Sequence, residues 1–279
     1  MPAPDAINGE KLSKLIGTPR CPVILDVRHE ALRASEPRLL PGARRLIEAD
    51  LSSTALERLA AELAGQSVVV ACAEGHGRSQ GTAAWLRHLG LAAEYLEGGQ
   101  AAWVAAGLPL IDPGRITGQD DAGRSLWVTR SRPKIDRIAC PWLIRRFIDP
   151  RAVFLYVAPY EVASVAEGWG AMPYDVEGAF WSHRGERCTF DVLLLEFGRS
   201  LPALDRLAAI VRGADTARLD LAPEAAGLLA ASLGLSRLHA GDLDQLEAGM
   251  GLYDAFYRWA RDAAGETHAW PSARSGAIP

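Results

Sequence analysis

The chain has 279 residues, 49% of them hydrophobic and 23% charged, with a formal net charge of -4. That is enough apolar side chain to bury a sizeable core, as two domains more readily than one, and it excludes a disordered polymer. The first 115 residues carry 12 basic and 13 acidic side chains and the remainder 18 and 21, so neither half has the basic excess of a nucleic-acid binder. No apolar run reaches the roughly eighteen residues of a membrane span. Met1-Pro2-Ala3-Pro4-Asp5 has neither the basic stretch nor the apolar core of a leader, so a cytoplasmic protein without a membrane span is expected. The four cysteines Cys21, Cys72, Cys140 and Cys188 lie far apart, which speaks against a disulfide framework or a zinc ribbon.

In chain order, Pro22-Val23-Ile24-Leu25-Asp26-Val27-Arg28 is an apolar strand ending in a charged pair, and Leu40-Pro41-Gly42-Ala43 is a turn signal. Val68-Val69-Val70-Ala71-Cys72 is a buried strand with a thiol at its end. The loop Ala73, Glu74, Gly75, His76, Gly77, Arg78, Ser79 follows, then a helix from Gln80 to Leu89. Ala93 to Gly99 is a further strand and turn, and Gln100 to Ala106 a short helix stopped by Gly107 and Pro109. At a strand-loop-helix junction the loop N–H groups converge and the helix dipole adds positive potential, which favours a thiolate and an oxyanion. Cys72 is therefore a candidate nucleophile; the alternative is a small apolar residue closing a strand.

Leu25-Asp26-Val27-Arg28, Pro41-Gly42-Ala43, the Cys72 loop and Leu96-Glu97-Gly98-Gly99 with Ala102-Trp103 and Gly107-Leu108-Pro109 occur in the order of a rhodanese (sulfurtransferase) domain, which residues 7–110 resemble. The resemblance implies an α/β domain with a mainly parallel sheet and a Cys72 that can carry a persulfide sulfur. Arg78 lies six residues after Cys72, giving Cys-x5-Arg. This is one residue longer than a common single-domain sulfurtransferase loop and similar to that of rhodanese-fold phosphatases and arsenate reductases. Such a cradle suits a tetrahedral oxyanion, with Arg78 as a bidentate clamp or, on the other reading, a solvated arginine at a helix end. His76 either assists the anion or is exposed.

The expected boundary is 1–112 for the first domain, 113–123 for a Gly-, Asp- and Pro-rich linker, 124–266 for a largely helical α+β domain, and 267–279 for a flexible tail. The second domain reads as a strand at 126–129, a helix from Pro141 to Ile148, a strand at 153–157 and helices near 189–197, 201–213, 223–233 and 242–263. Residues 124–151 hold eight basic side chains (Arg124, Arg130, Arg132, Lys134, Arg137, Arg145, Arg146, Arg151) against Asp136 and Asp149, a solvated face or an anion-binding one. Pro141 suits a first helical position, which would set Cys140 at an N-cap as a second activated thiol; a buried, inert thiol is the alternative.

Arg132-Pro133-Lys134-Ile135-Asp136-Arg137-Ile138-Ala139-Cys140-Pro141-Trp142, Phe180-Trp181-Ser182-His183-Arg184-Gly185, Cys188-Thr189-Phe190-Asp191, Val211 to Thr216 and Gly251 to Tyr257 resemble the C-terminal domain of chromate-resistance proteins of the ChrB type. This implies a part in chromate sensing, export or handling. His183, Cys188, Asp191 and Glu196 crowd within fourteen residues, with Asp136, Cys140 and Asp215 as long-range additions. His183, Asp191 and Glu196 are the candidate ligands of a transition metal, which histidine with carboxylates suits. No other cofactor is expected. The partner is a small oxyanion or sulfur donor, and the activity sulfurtransferase-like or oxyanion-reductase-like. A chromate-responsive regulator that meets DNA is the alternative, disfavoured because no basic recognition helix is evident. A metal-dependent enzyme centred on the second domain is another.

Overall fold

The computed structural model describes residues 5–198 and 201–266; the expected tail at 267–279 lies outside them. The first half builds a sheet from β1 (Ala6–Ile7), β2 (Val23–Asp26), β3 (Ala43–Arg45), β4 (Ser67–Ala71) and β5 (Ala92–Leu96), ordered β1-β5-β4-β2-β3. Every pairing is parallel. Its helices are α1 (Gly9–Leu15), α2 (Glu30–Ser35), α3 (Ser53–Glu62), α4 (Gly77–His88) and α5 (Gly99–Ala105). A parallel sheet covered on both faces needs strands apolar on both sides. The run Val68-Val69-Val70 meets that need: Val69 joins one core and Val68 and Val70 the other.

In the second half β6 (Leu126–Arg130), β7 (Val153–Val157) and β8 (Met172–Pro173) form a parallel sheet in the order β7-β6-β8. They are linked through α6 (Asp136–Leu143) and α7 (Val162–Trp169), and the rest is helical: α8 (Thr189–Glu196), α9 (Pro202–Asp215), α10 (Ala225–Leu238) and α11 (Asp242–Arg258). The observed architecture is thus a parallel α/β half followed by a largely helical one.

Helix α6 departs from expectation. It begins at Asp136 rather than Pro141, so Pro141 sits inside it and Cys140 is not an N-cap. An internal proline supplies no N–H to the carbonyl four residues earlier, here Arg137. Tyr156 Oη donates to that carbonyl at 3.0 Å, with Tyr174 Oη 3.4 Å away, so the lost bond is replaced by a side chain. Beyond Leu143 the helix continues as one wide turn, Ile144–Ile148.

Trp142, fully buried, is the hub of the second half. Its ring lies 5.5–6.4 Å from those of Phe147, Phe190, Tyr253 and Tyr257, and its Nε1–H donates to Asp254 Oδ1 at 2.8 Å. Asp254 also receives Arg146 Nε and Nη2, each at 2.8 Å. The two halves share one apolar cluster running from Ile7, Leu12 and Trp103 through Trp142 and Phe147. At the seam the Gly42 N–H donates to the Phe147 carbonyl at 2.8 Å, and Arg261 reaches the Lys14 carbonyl at 3.0 Å. Trp142→Ala removes the hub and leaves Asp254 without one of its donors. A loss of about 3–5 kcal/mol in denaturant unfolding is expected, with Trp142→Phe costing less.

Candidate functional site

The first site is the loop after β4. Cys72 is buried, and its Sγ stands 3.1 Å from Ser79 Oγ. Burial is the largest single influence on the thiol and opposes ionisation. Hydrogen bonds from the Ser79 hydroxyl and from the backbone N–H groups of Ser79, Glu74 and His76 outweigh it together, so the thiol is held below its ordinary value. Ser79 Oγ also lies 3.1 Å from the His76 carbonyl. Its single proton can serve either partner, so it donates to the carbonyl while Cys72 is a thiol and to the sulfur once Cys72 is a thiolate.

The loop is fixed by its backbone. Gln100 N–H and Ala101 N–H, from the first turn of α5, donate to the carbonyls of Cys72 and Ala73, both at 2.9 Å. This close approach requires Gly99: its φ is +58°, and a Cβ there would stand 2.5 Å from Cys72 O and from Gly75 N. Leu25-Asp26-Val27-Arg28 also finds its physical reason. Arg28 binds Asp26 through Nε and Nη2, both side chains being buried, and donates to the carbonyls of Glu36 and Arg38 at 2.8 and 3.0 Å.

Arg78 is engaged by side chains of other segments. Its Nη2 is 2.5 Å from Glu48 Oε2 and its Nη1 3.1 Å from the His29 ring, while its Nε is buried without a partner among the described residues. Glu48, exposed on the rim, is held below the usual carboxylate range by Arg78. The Glu74 and His76 side chains are exposed and 3.9 Å from each other; these two residues reach Cys72 through their backbones.

The second site gathers distant residues. Asp136 opens α6, Asp175 follows β8 with φ +51°, His183 lies in the loop before α8 and Asp215 ends α9. His183 Nε2 is 3.5 Å from Asp136 Oδ2, 3.4 Å from Asp175 Oδ1 and 3.2 Å from Asp215 Oδ2. Asp136 is wholly buried; burial first, then the neighbouring carboxylates, push it up to about 7 against the opposing pull of His183. His183 is raised to about 12 by hydrogen bonds to Asp136, Asp175 and Asp215. Thr189 spans two of these groups: its N–H donates to Asp136 Oδ2 at 2.5 Å and its hydroxyl to Asp175 Oδ1 at 3.0 Å. Asp175 Oδ2 meets Arg130 and Arg137 at 3.2 and 3.3 Å.

Of the ligands expected from sequence, His183 is here, joined by Asp136 and Asp215, while Asp191 and Glu196 are elsewhere. Asp191 caps α8, accepting the Cys188 N–H, and pairs with Arg212 at 2.7 Å; Glu196 pairs with Arg184 and Arg115. Asp175 was not anticipated, since nothing local distinguishes it. Cys140 and Cys188 are fully buried, and burial raises both thiols, so neither is an activated second thiol. Seven of the eight basic side chains of 124–151 have partners within the chain, and Lys134 is exposed. Arg124, Arg130, Arg145 and Arg146 form ion pairs, and Arg132, Arg137 and Arg151 reach backbone carbonyls. A groove of about 1060 Å³ between the halves has neither Cys72 nor His183 in its wall.

Residues 127–260 match the ChrB C-terminal domain family and residues 8–106 the rhodanese-like domain family. The chain joins a rhodanese-like domain to a ChrB C-terminal domain. Protein ChrB of Cupriavidus metallidurans is 40% identical over 103 residues, which is 37% of this chain and 29% of that protein, so the match spans less than a third of the relative's length. Among solved structures, a thiosulfate sulfurtransferase from Pseudomonas aeruginosa is 28% identical, covering 40% of this chain and 20% of its own, with a TM-score of 0.31. A rhodanese-related protein from Thermoplasma volcanium is 24% identical, covering 38% and 96%, with a TM-score of 0.32. The Cys72 loop falls inside the rhodanese-like match, and the whole Asp136-Asp175-His183-Asp215 cluster inside the ChrB C-terminal domain. No helix among the described residues is long and apolar enough to cross a membrane.

Two outcomes follow for the rhodanese-like domain. Ser79→Ala is expected to shift the pH midpoint of Cys72 alkylation by iodoacetamide upward, because one thiolate donor is gone. Gly99→Ala is expected to cost roughly 1–3 kcal/mol in thermal unfolding and to slow alkylation, because the loop must move off α5.

Proposed function

We propose that this protein serves chromate resistance through its rhodanese-like domain, with Cys72 as the nucleophile of sulfur transfer to or from a small oxyanion. The observation that carries this reading is the Cys72 sulfur inside a ring of backbone N–H groups at the start of α4, with its thiol lowered despite burial. With thiosulfate as donor, the Cys72 thiolate attacks the outer sulfur. The new S–S bond forms as the bond to the sulfite sulfur breaks, and sulfite leaves with the electron pair. A nucleophile such as cyanide then takes the outer sulfur of the persulfide and returns the thiolate. The N–H groups and the helix dipole stabilise the negative charge at each stage. The ChrB C-terminal domain would supply recognition. The internal engagement of the arginines at 124–151 favours this reading over a DNA-binding regulator.

Arg78 acts in this scheme as an anion clamp that Glu48 occupies in the absence of substrate. Cys72→Ser is expected to abolish thiocyanate formation from thiosulfate and cyanide; undiminished turnover would remove Cys72 from the chemistry. Arg78→Ala should raise KM for thiosulfate roughly tenfold, the worth of one charged hydrogen-bond partner, with Tm little changed. Glu48→Gln should lower KM, and an unchanged KM in both variants would return Arg78 to a rim ion pair.

A further inference from the structure

In the Asp136-Asp175-His183-Asp215 cluster one imidazole N–H faces three carboxylates, more acceptors than its single proton can serve. An N–H···O bond is directional and closes to about 2.7–3.2 Å. The single Nε2 proton of His183 can close one such bond, with Asp215 at 3.2 Å, which leaves Asp175 and Asp136 at 3.4 and 3.5 Å beyond that range. Donor atoms around a common cation with bonds of about 2.0–2.2 Å stand on the order of 3.0–3.6 Å apart, the edges of an octahedron or tetrahedron. The ligand atoms of Asp136, Asp175 and His183 all lie within 4.8 Å of one another.

A second observation points the same way. Asp136 is 0% exposed, and its Oδ1, on the carboxylate that faces His183, is buried with no hydrogen-bond partner among the described residues. A carboxylate oxygen kept from water and from every donor is costly unless something positive meets it. The surroundings also hold the donors in place. Thr189 fixes one oxygen each of Asp136 and Asp175, and Arg130 and Arg137 take the far oxygen of Asp175. Metal-binding carboxylates are commonly oriented by outer hydrogen bonds of this kind.

We propose that Asp136, Asp175 and His183 bind one divalent first-row transition cation, with Asp215 closing the side open to solvent. The donors are oxygen and imidazole nitrogen, a set that suits Mn2+, Fe2+ or Zn2+ rather than a thiophilic ion. Cys140 and Cys188 are fully buried and lie outside this donor group. The His183 side chain is 41% exposed and that of Asp215 18%, which leaves a route for the ion. This site is independent of the Cys72 chemistry.

The test uses the full chain, stripped with a chelator and titrated with MnCl2 and, separately, ZnCl2 by calorimetry at neutral pH. One equivalent should bind, and the Tm of the stripped protein should rise with metal concentration. His183→Gln and Asp175→Asn should weaken binding roughly tenfold or more and remove the Tm rise, while Asp191→Asn, outside the cluster, should bind as the unaltered chain does. Asp136 is buried and its variants risk misfolding, whereas the His183 side chain is 41% exposed, so His183→Gln is the deciding variant. No saturable binding of either ion, or equal affinity in His183→Gln and the unaltered chain, would overturn the assignment.

Discussion

Helix α6 carries a proline in its interior and a carboxylate buried at its start, and much of the second half is arranged around satisfying both. The carbonyl that Pro141 leaves unpaired is met by Tyr156, reaching across from β7. Trp142 then locks the helix to α11 through its ring contacts and through Asp254, which Arg146 grips as a fork. Planar guanidinium on carboxylate gives two parallel bonds and a fixed angle, which a lysine would not. The wide turn that ends the helix brings the Phe147 carbonyl to Gly42 in the first half. One helix thus places Asp136 at one end and the seam between the halves at the other.

The loop around Cys72 relies on a different economy. Apart from the Ser79 hydroxyl, its donors are main-chain N–H groups, set by the fold of the loop rather than by side-chain rotamers, so little is lost in ordering them around an anion. What the sequence must provide is permission for two backbones to touch, and Gly99 provides it. The Asp26–Arg28 pair works one step further out. A guanidinium buried on its partner and on two carbonyls holds the segment 36–38 against β2, and Gln100, beside Gly99, donates to the Arg38 carbonyl as well.

The legibility of the chain follows from how local each feature is. The rhodanese-like half was readable because its determinants are contiguous: an apolar run for a doubly covered strand, a thiol at its end, glycines where the backbone crowds. The order of its strands, and the minor strands Ala6–Ile7 and Met172–Pro173, were not readable, since two residues of edge pairing leave no pattern. In the second half His183, Asp136 and Asp215 were named but Asp175 was not, and Asp191 and Glu196 were assigned as ligands in its place. Nearness in sequence favours them; Arg184, next to His183, claims Glu196 locally, while Arg212 and Arg115 reach Asp191 and Glu196 from other segments. The N-cap expectation for Cys140 rests on a sound preference, proline at a first helical turn, that Tyr156 overrides by meeting the Arg137 carbonyl nineteen residues before it. The arginines of 124–151 looked like a surface because their carboxylate and carbonyl partners lie as far off as residues 236–254.

The two sites manage negative charge in opposite ways, and this bears on what each can do. At Cys72 a single sulfur is surrounded by neutral dipoles, an arrangement that favours the charged form while leaving the atom free to form and break a bond. At His183 three carboxylates are concentrated against one imidazole, and one of them, Asp136, has no contact with water. Arg130 and Arg137 offset the charge of Asp175, and what is left calls for a compact positive centre rather than neutral dipoles. A nucleophile needs the first environment, and a cation the second. The seam built on Phe147 and Gly42 puts both kinds of site in one molecule without either borrowing residues from the other.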